Sequence, residues 1–178
     1  MFIHPTDSWQ WHYDAINNRL MLDLSDNMLF ATEYQGRQLV PSAFACQPFC
    51  VDDTALYYQL MDAGAELDWS IPHLVQLVLN AIAATRFYKP LMPQSWFFTE
   101  QYPAMMPQNG DLVWMNTPHG YGEFMVIDAG AHASVCLNLT ADLALTTSKT
   151  LPRFGVIKVM NNRMKARVTV TEHYRQVG

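Results

Sequence analysis

Arg19-Leu20-Met21-Leu22-Asp23-Leu24-Ser25-Asp26-Asn27-Met28-Leu29-Phe30 carries two apolar runs either side of a short polar break. Leu20, Leu22 and Leu24 fall on one face of an extended chain, and Met21 and Asp23 on the other, because successive side chains of a strand point to opposite sides. Asp26 and Asn27 tolerate the positive φ that a tight hairpin requires, so they are predicted as its two-residue turn, between strands Arg19 to Ser25 and Met28 to Tyr34. Upstream, Trp9, Trp11 and Tyr13 alternate with Gln10, His12 and Asp14, the pattern of a half-buried strand. The chain therefore opens with a small antiparallel sheet.

Downstream, Pro41 to Pro48 reads as a connection. Asp52 and Asp53 then stand before Thr54-Ala55-Leu56-Tyr57-Tyr58. A carboxylate there caps free N–H groups and complements the helix dipole, which predicts a helix near 53–62. A second helix is predicted over 71–88, with Ser70 at its N-cap and Pro72 in its first turn. Ile71, Leu74, Leu77, Val78, Ala81, Ile82 and Thr85 form its apolar stripe, and Pro90 ends it. Gln101 to Gly110 holds two prolines and a glycine without periodicity, and is placed as a domain junction. Beyond it come short strand-like runs at Leu112–Asn116, Glu123–Asp128, Ala133–Leu139 and Leu143–Thr147. Gly155 to Val170 reads two ways: Ile157, Met160 and Met164 fit a helix face, while Val168-Thr169-Val170 looks like strand. The fold class is α+β: an N-terminal α/β domain over 1–100, then a small antiparallel, barrel-like or sandwich-like domain over 101–178.

Half of the 178 residues are apolar and 15% are charged, against roughly 25% charged in an average soluble domain. That excludes intrinsic disorder. Eleven methionines and five tryptophans suit irregular packing or a sizeable contact surface. The net charge of −5 is unevenly spread. Residues 149–178 hold seven Lys/Arg and one acid, Glu172. No whole-chain basic footprint for nucleic acid exists. Met1 to Gln10 has no cationic start and no apolar core, so no signal peptide is expected there. Leu74 to Ala84, interrupted by Gln76 and Asn80, falls short of the ~20 residues of a membrane span. Cys46, Cys50 and Cys136 lack the density of a disulfide scaffold, which suits a reducing cytosol.

The sequence contains no P-loop, Rossmann glycine pattern, nucleophile elbow or zinc-protease motif. Cys46 and Cys50 are spaced C-x₃-C, but a second ligand pair is missing, so no metal is expected and the thiols read as small apolar groups. Asp52 and Asp53 fit helix capping better than acid–base work, and Trp9 and Trp11 fit core packing better than a stacking platform. One reading from another class stays open: a small cytosolic enzyme of unrecognised type, with its site around Cys50, Asp52 and Asp53. The remaining feature is cationic: Arg86 and Lys89 at the end of the second helix, then Lys158, Arg163, Lys165 and Arg167. Cations in a last helical turn offset the dipole without any partner, and a late basic cluster is either a solvated face or a docking surface for an acidic protein.

Several segments run in the order of a known family. They are Trp9-x-Trp11-x-Tyr13-Asp14, Met21-Leu22-Asp23-Leu24 with Met28-Leu29-Phe30, and Phe49-Cys50-Val51-Asp52-Asp53-x-Ala55-Leu56-Tyr57. Then follow Leu77-Val78-Leu79-Asn80-Ala81, Arg86-x-x-Lys89-Pro90-x-Met92-Pro93-x-Ser95-Trp96 and Ile157-Lys158-x-Met160-Asn161-x-Arg163-x-Lys165. The chain thus resembles the ZapC family of cell-division proteins over nearly its whole length. Gln94 stands where the family carries Lys. The resemblance implies a cytosolic, non-enzymatic factor at the mid-cell division ring. Such a factor binds polymers of FtsZ, an acidic partner, promotes their lateral association and lowers their GTPase activity. It implies an α/β domain followed by a twisted, barrel-like β domain, a monomer, and no cofactor, nucleic acid or membrane insertion. The residues expected to meet the partner are Leu22, Arg86, Lys89, Lys158, Arg163 and Lys165.

Overall fold

The computed structural model describes residues 3–167; the strand-like Val168-Thr169-Val170 lies outside them. By its contacts the chain divides into two compact units, Met1–Pro90 and Leu91–Gly178.

The first unit pairs β1 (Gln10–Asp14), β2 (Arg19–Asp23), β3 (Leu29–Ala31) and β4 (Gln47–Pro48) in the order β3-β2-β1-β4. Its hairpin turns differently from the two-residue expectation. Asp23 faces Leu29, and the Leu24 N–H donates to the Met28 carbonyl at 2.8 Å, so the loop is three residues, Ser25 to Asn27. Asp26 and Asn27 do adopt the positive φ that their side chains tolerate, 62° and 61°. Leu20 and Leu22 are fully buried, as are Trp9 and Trp11. Trp9 meets Phe49 and Tyr57 edge-on at 5.2 and 6.1 Å, and Trp11 meets Phe87 at 5.7 Å. The indoles are therefore core, not a stacking platform.

Helix α1 (Val51–Gly64) and helix α2 (Ile71–Phe87) follow. Ser70 holds the N-cap position of α2, but its hydroxyl pairs with His73 Nδ1 at 2.9 Å instead of a backbone N–H. The apolar stripe of α2 is broader than its periodicity predicts. Every residue from Leu77 to Ala84 is buried, whereas Ile71 and Thr85 are exposed. A helix apolar on nearly all sides is covered on nearly all sides. Within it, Asn80 Oδ1 accepts the Glu33 N–H at 2.9 Å while its Nδ2 donates to the Gln76 carbonyl. Tyr88 turns extended before Pro90, which ends the helix as expected.

The second unit is antiparallel: β5 (Leu112–Thr117), β6 (Gly120–Asp128), β7 (Ala133–Asn138), the two-residue pair β8 (Leu143–Ala144) and β9 (Thr150–Leu151), β10 (Val156–Met160) and β11 (Lys165–Ala166). The main sheet runs β10-β7-β6-β5-β11. Pairing with β7 resolves the double reading of 155–170 in favour of strand at Ile157 and Met160. The outermost strands β10 and β11 are linked by residues 161–164 alone, which include a 3-10 turn. Five flat strands would hold these edges about 19 Å apart, about the limit of so short a link even fully extended. The sheet is therefore curled, as in a barrel, although β10 and β11 do not pair among the described residues. The register shift between Val126 and Asp128 is a bulge of the kind that bends a strand. Inside the curl lie Val113, Phe124, Cys136, Ile157, Val159 and Met164.

Residues 91–100, grouped by sequence with the first domain, are held by the second unit. The Gln94 N–H donates to the Lys158 carbonyl at 2.8 Å, Ser95 Oγ accepts the Met160 N–H at 2.8 Å, and Phe98 joins the core. Phe97 and Phe98 of this stretch pack against the second core while Met92 and Trp96 stay exposed, a division its aperiodic sequence does not reveal.

Candidate partner-binding surface

Asp53 is a buried carboxylate of the first unit held by three donors. Its Oδ2 accepts the Trp11 indole N–H at 3.1 Å, the Cys50 backbone N–H at 3.1 Å and Arg86 Nη1 at 2.6 Å. The same guanidinium donates to the Pro48 carbonyl at 2.8 Å and lies 4.8 Å from the Phe87 ring centroid. One buried oxygen thus joins β1, α1 and α2, and Arg86, expected at the partner, is an internal ion-pair residue. Asp52 beside it is exposed. Cys136 is buried in the second core, where burial pushes its thiol well up and leaves it in the unreactive form. Among the described residues no group of three or more His, Cys, Asp or Glu side chains could hold a metal ion.

The other expected contact residues divide sharply. Leu22 has no exposed surface: it faces Trp11 on one neighbouring strand and Phe30 on the other. Lys89 is exposed just beyond α2, and Lys165 is exposed on β11. Lys158 is half-buried on β10. None of these three lysines has an ion-pair partner among the described residues. Arg163 is tied down: Nε donates to the Ser95 carbonyl at 3.2 Å, and Nη1 meets Asn162 Oδ1 at 2.6 Å and Glu100 Oε1 at 3.3 Å. Tyr102 donates to the other oxygen of Glu100, and that bond, with the carboxylate's charge, holds the phenol above its ordinary value. Arg86 and Lys89 belong to the first unit and Lys158, Arg163 and Lys165 to the second, and only Lys158 and Arg163 are brought against one common segment, Gln94-Ser95.

Sequence reasoning passed over the apolar part of this surface. On β10, Ile157 and Val159 point into the core, so Lys158 and Met160 share the outer face. Met92, Trp96, Tyr102 and Met106, in the segment that leads to β5, are all strongly exposed. Met105, Met106 and Met160 line a recess of about 200 Å³ together with Ala104, Ala131 and His132. The sequence's one sign of such a surface was its eleven methionines and five tryptophans, which do not say where it lies. The first unit has its own apolar groove of about 310 Å³, formed by Leu24, Met28, Leu29, Val75 and Leu79 with Ile3.

Fold and geometry together define an α+β protein of two compact units. The buried Asp53 carboxylate serves the fold, and exposed lysines and apolar side chains stand where another macromolecule can meet them. The comparisons name the family. Residues 2–89 match the family model "Cell-division protein ZapC, N-terminal" and residues 90–170 match "Cell-division protein ZapC, C-terminal". The chain is 74% identical to cell division protein ZapC of Aeromonas hydrophila over the full length of both. It is 40% identical to that of Photobacterium profundum and 38% to that of Vibrio cholerae, over 92% and 91% of each chain. The chain belongs to the ZapC family of cell-division proteins. Among the described residues no helix is long and apolar enough to cross a membrane.

Proposed function

We propose that this cell-division protein binds FtsZ polymers directly, bundles their protofilaments side by side and lowers their GTPase activity. It acts as a monomer in the cytoplasm at the mid-cell ring, without cofactor, nucleic acid or membrane insertion. The observation that carries this reading, beside family membership, is that Lys89, Lys158 and Lys165 have no ion-pair partner among the described residues and that Lys158 borders exposed Met160. An apolar centre with a charged rim is the usual anatomy of a docking surface. The net charge of −5 repels an acidic polymer unless local cations face it. A monomer that bundles needs two contacts, and each unit offers lysine to one of them. Cross-linked polymers shed subunits more slowly, and hydrolysis coupled to that turnover slows with it.

The test is co-sedimentation with FtsZ and GTP. Lys89→Glu, Lys158→Glu and Lys165→Glu combined should abolish pelleting with the polymer while keeping a native circular dichroism spectrum, since juxtaposed like charges cost several kcal/mol. Wild-type binding should weaken with salt, because exposed charges are screened over ~8 Å at physiological ionic strength. A triple variant that bundles like wild type at low salt overturns the role of the lysines.

A further inference from the structure

The second unit sorts its methionines into two sets. Met115, Met125 and Met164 are 1%, 0% and 1% exposed, whereas Met92 and Met106 are 81% and 79% exposed and Met160 is 37%. Two of the exposed set, Met106 and Met160, form the lip of one recess with half-buried Met105. The recess lies on the sheet face of Lys158, and the Met160 backbone is fixed there by its bond to Ser95 Oγ. Thioethers concentrated at an accessible apolar opening are both good contacts for a partner side chain and accessible targets of oxidation.

We propose that this recess is an oxidation-sensitive docking site, at which hydrogen peroxide converts Met106 and Met160 to sulfoxides and releases the bound polymer. The inference rests on the docking function proposed above and adds its regulation. In each conversion a sulfur lone pair attacks one peroxide oxygen. The O–O bond breaks, the S–O bond forms, and the departing hydroxide takes the remaining proton as water. The thioether loses two electrons and the peroxide gains them. The product keeps much of the shape of methionine but sets a polar S–O group where an apolar side chain would seat, and burying that group without a donor opposes docking. The step is reversible by the methionine sulfoxide reductases, one for each epimer. The buried methionines of the core are out of reach, so the fold survives while the surface changes.

The experiment uses the full chain. It is treated with hydrogen peroxide, quenched with catalase, mapped by peptide mass spectrometry, and then mixed with untreated FtsZ and GTP for co-sedimentation. Met92, Met106 and Met160 should each gain one oxygen before Met115, Met125 and Met164 do, with near-UV circular dichroism unchanged. The bound fraction should fall about tenfold, the size of effect one poorly satisfied polar group produces, and both reductases together should restore it. In Met106→Leu/Met160→Leu, with each protein compared only with itself, the treated-to-untreated ratio should stay near one. Treated wild type that carries both sulfoxides yet pellets like untreated protein overturns the proposal alone, as does a double variant that loses as much as wild type. Untreated protein that never pellets with the polymer overturns the docking function itself, and this proposal with it.

Discussion

At Asp53 a single carboxylate oxygen satisfies an indole, a helix N-terminal backbone N–H and a guanidinium. Asp53, read from the sequence as a helix-capping carboxylate, does cap α1 and is held in the architecture by its other two bonds as well. Its side chain is almost fully buried, and Arg86 is a quarter exposed. Breaking a buried pair leaves an uncompensated charge, so Asp53→Asn is expected to cost about 3 kcal/mol, read as a lowered urea midpoint with unchanged slope. Arg86→Glu would place two carboxylates together in that site. A loss of polymer binding in such a variant therefore reports on folding, and Lys89, three residues on and exposed, is the cleaner probe.

Among the elements, β2 is the one the first sheet is built on, paired with β1 on one side and β3 on the other. Leu22 sits at its middle with no exposed surface. Leu22→Ala is expected to destabilise the protein by about 2–5 kcal/mol through lost transfer energy and the cavity left behind. Thermal unfolding followed by far-UV circular dichroism checks this, and a variant as stable as wild type would show that the site collapses freely. Strands and helices were legible wherever side-chain period and caps agreed, as in β1, β2, α1, and the β5–β7 run. The loop at Ser25–Asn27 was legible in residue type but not in length, because register depends on which backbone groups pair across the hairpin. Residues 91–107 were not legible at all. Trp96 and the exposed methionines there follow no helical or extended period, and their placement comes from hydrogen bonds to Lys158, Met160 and Asn162, far away in the chain.

At the scale of the molecule, burial builds alkaline sensitivity into tyrosines of the first unit and a thiol of the second. Burial, with Tyr58 adding to it, pushes the Tyr57 phenol up to about 12, and burial raises Tyr34 and Tyr88 as well. Burial raises Cys136 too. In each case the folded state favours the neutral form, so the contribution is complete below the unfolded-state values, about 10 for tyrosine and about 8.5 for cysteine. It is lost as pH rises above them. The urea midpoint should therefore fall from about pH 9 upward. Tyr57→Phe should flatten the part of that fall between about 10 and 12, although it also removes the hydrogen bond to the Ile3 carbonyl. A midpoint constant to pH 12 would contradict the burial of these groups.

The Asn80 amide has one more effect, on what the first sheet offers to other chains. The bonds from Leu24 to Met28 and from Thr32 to Leu20 turn the backbone groups of Met28, Phe30 and Thr32, in and beside β3, toward β2, so those of Leu29, Ala31 and Glu33 point outward. Asn80 occupies the Glu33 N–H, which leaves a free edge only two residues long. A foreign strand needs a run of such groups to find its register, and short or covered edges deny it one. Here the denial comes from a buried helix residue rather than from surface charge, so solubility and core packing depend on the same side chain. That edge gives a growing fibre almost nothing to copy.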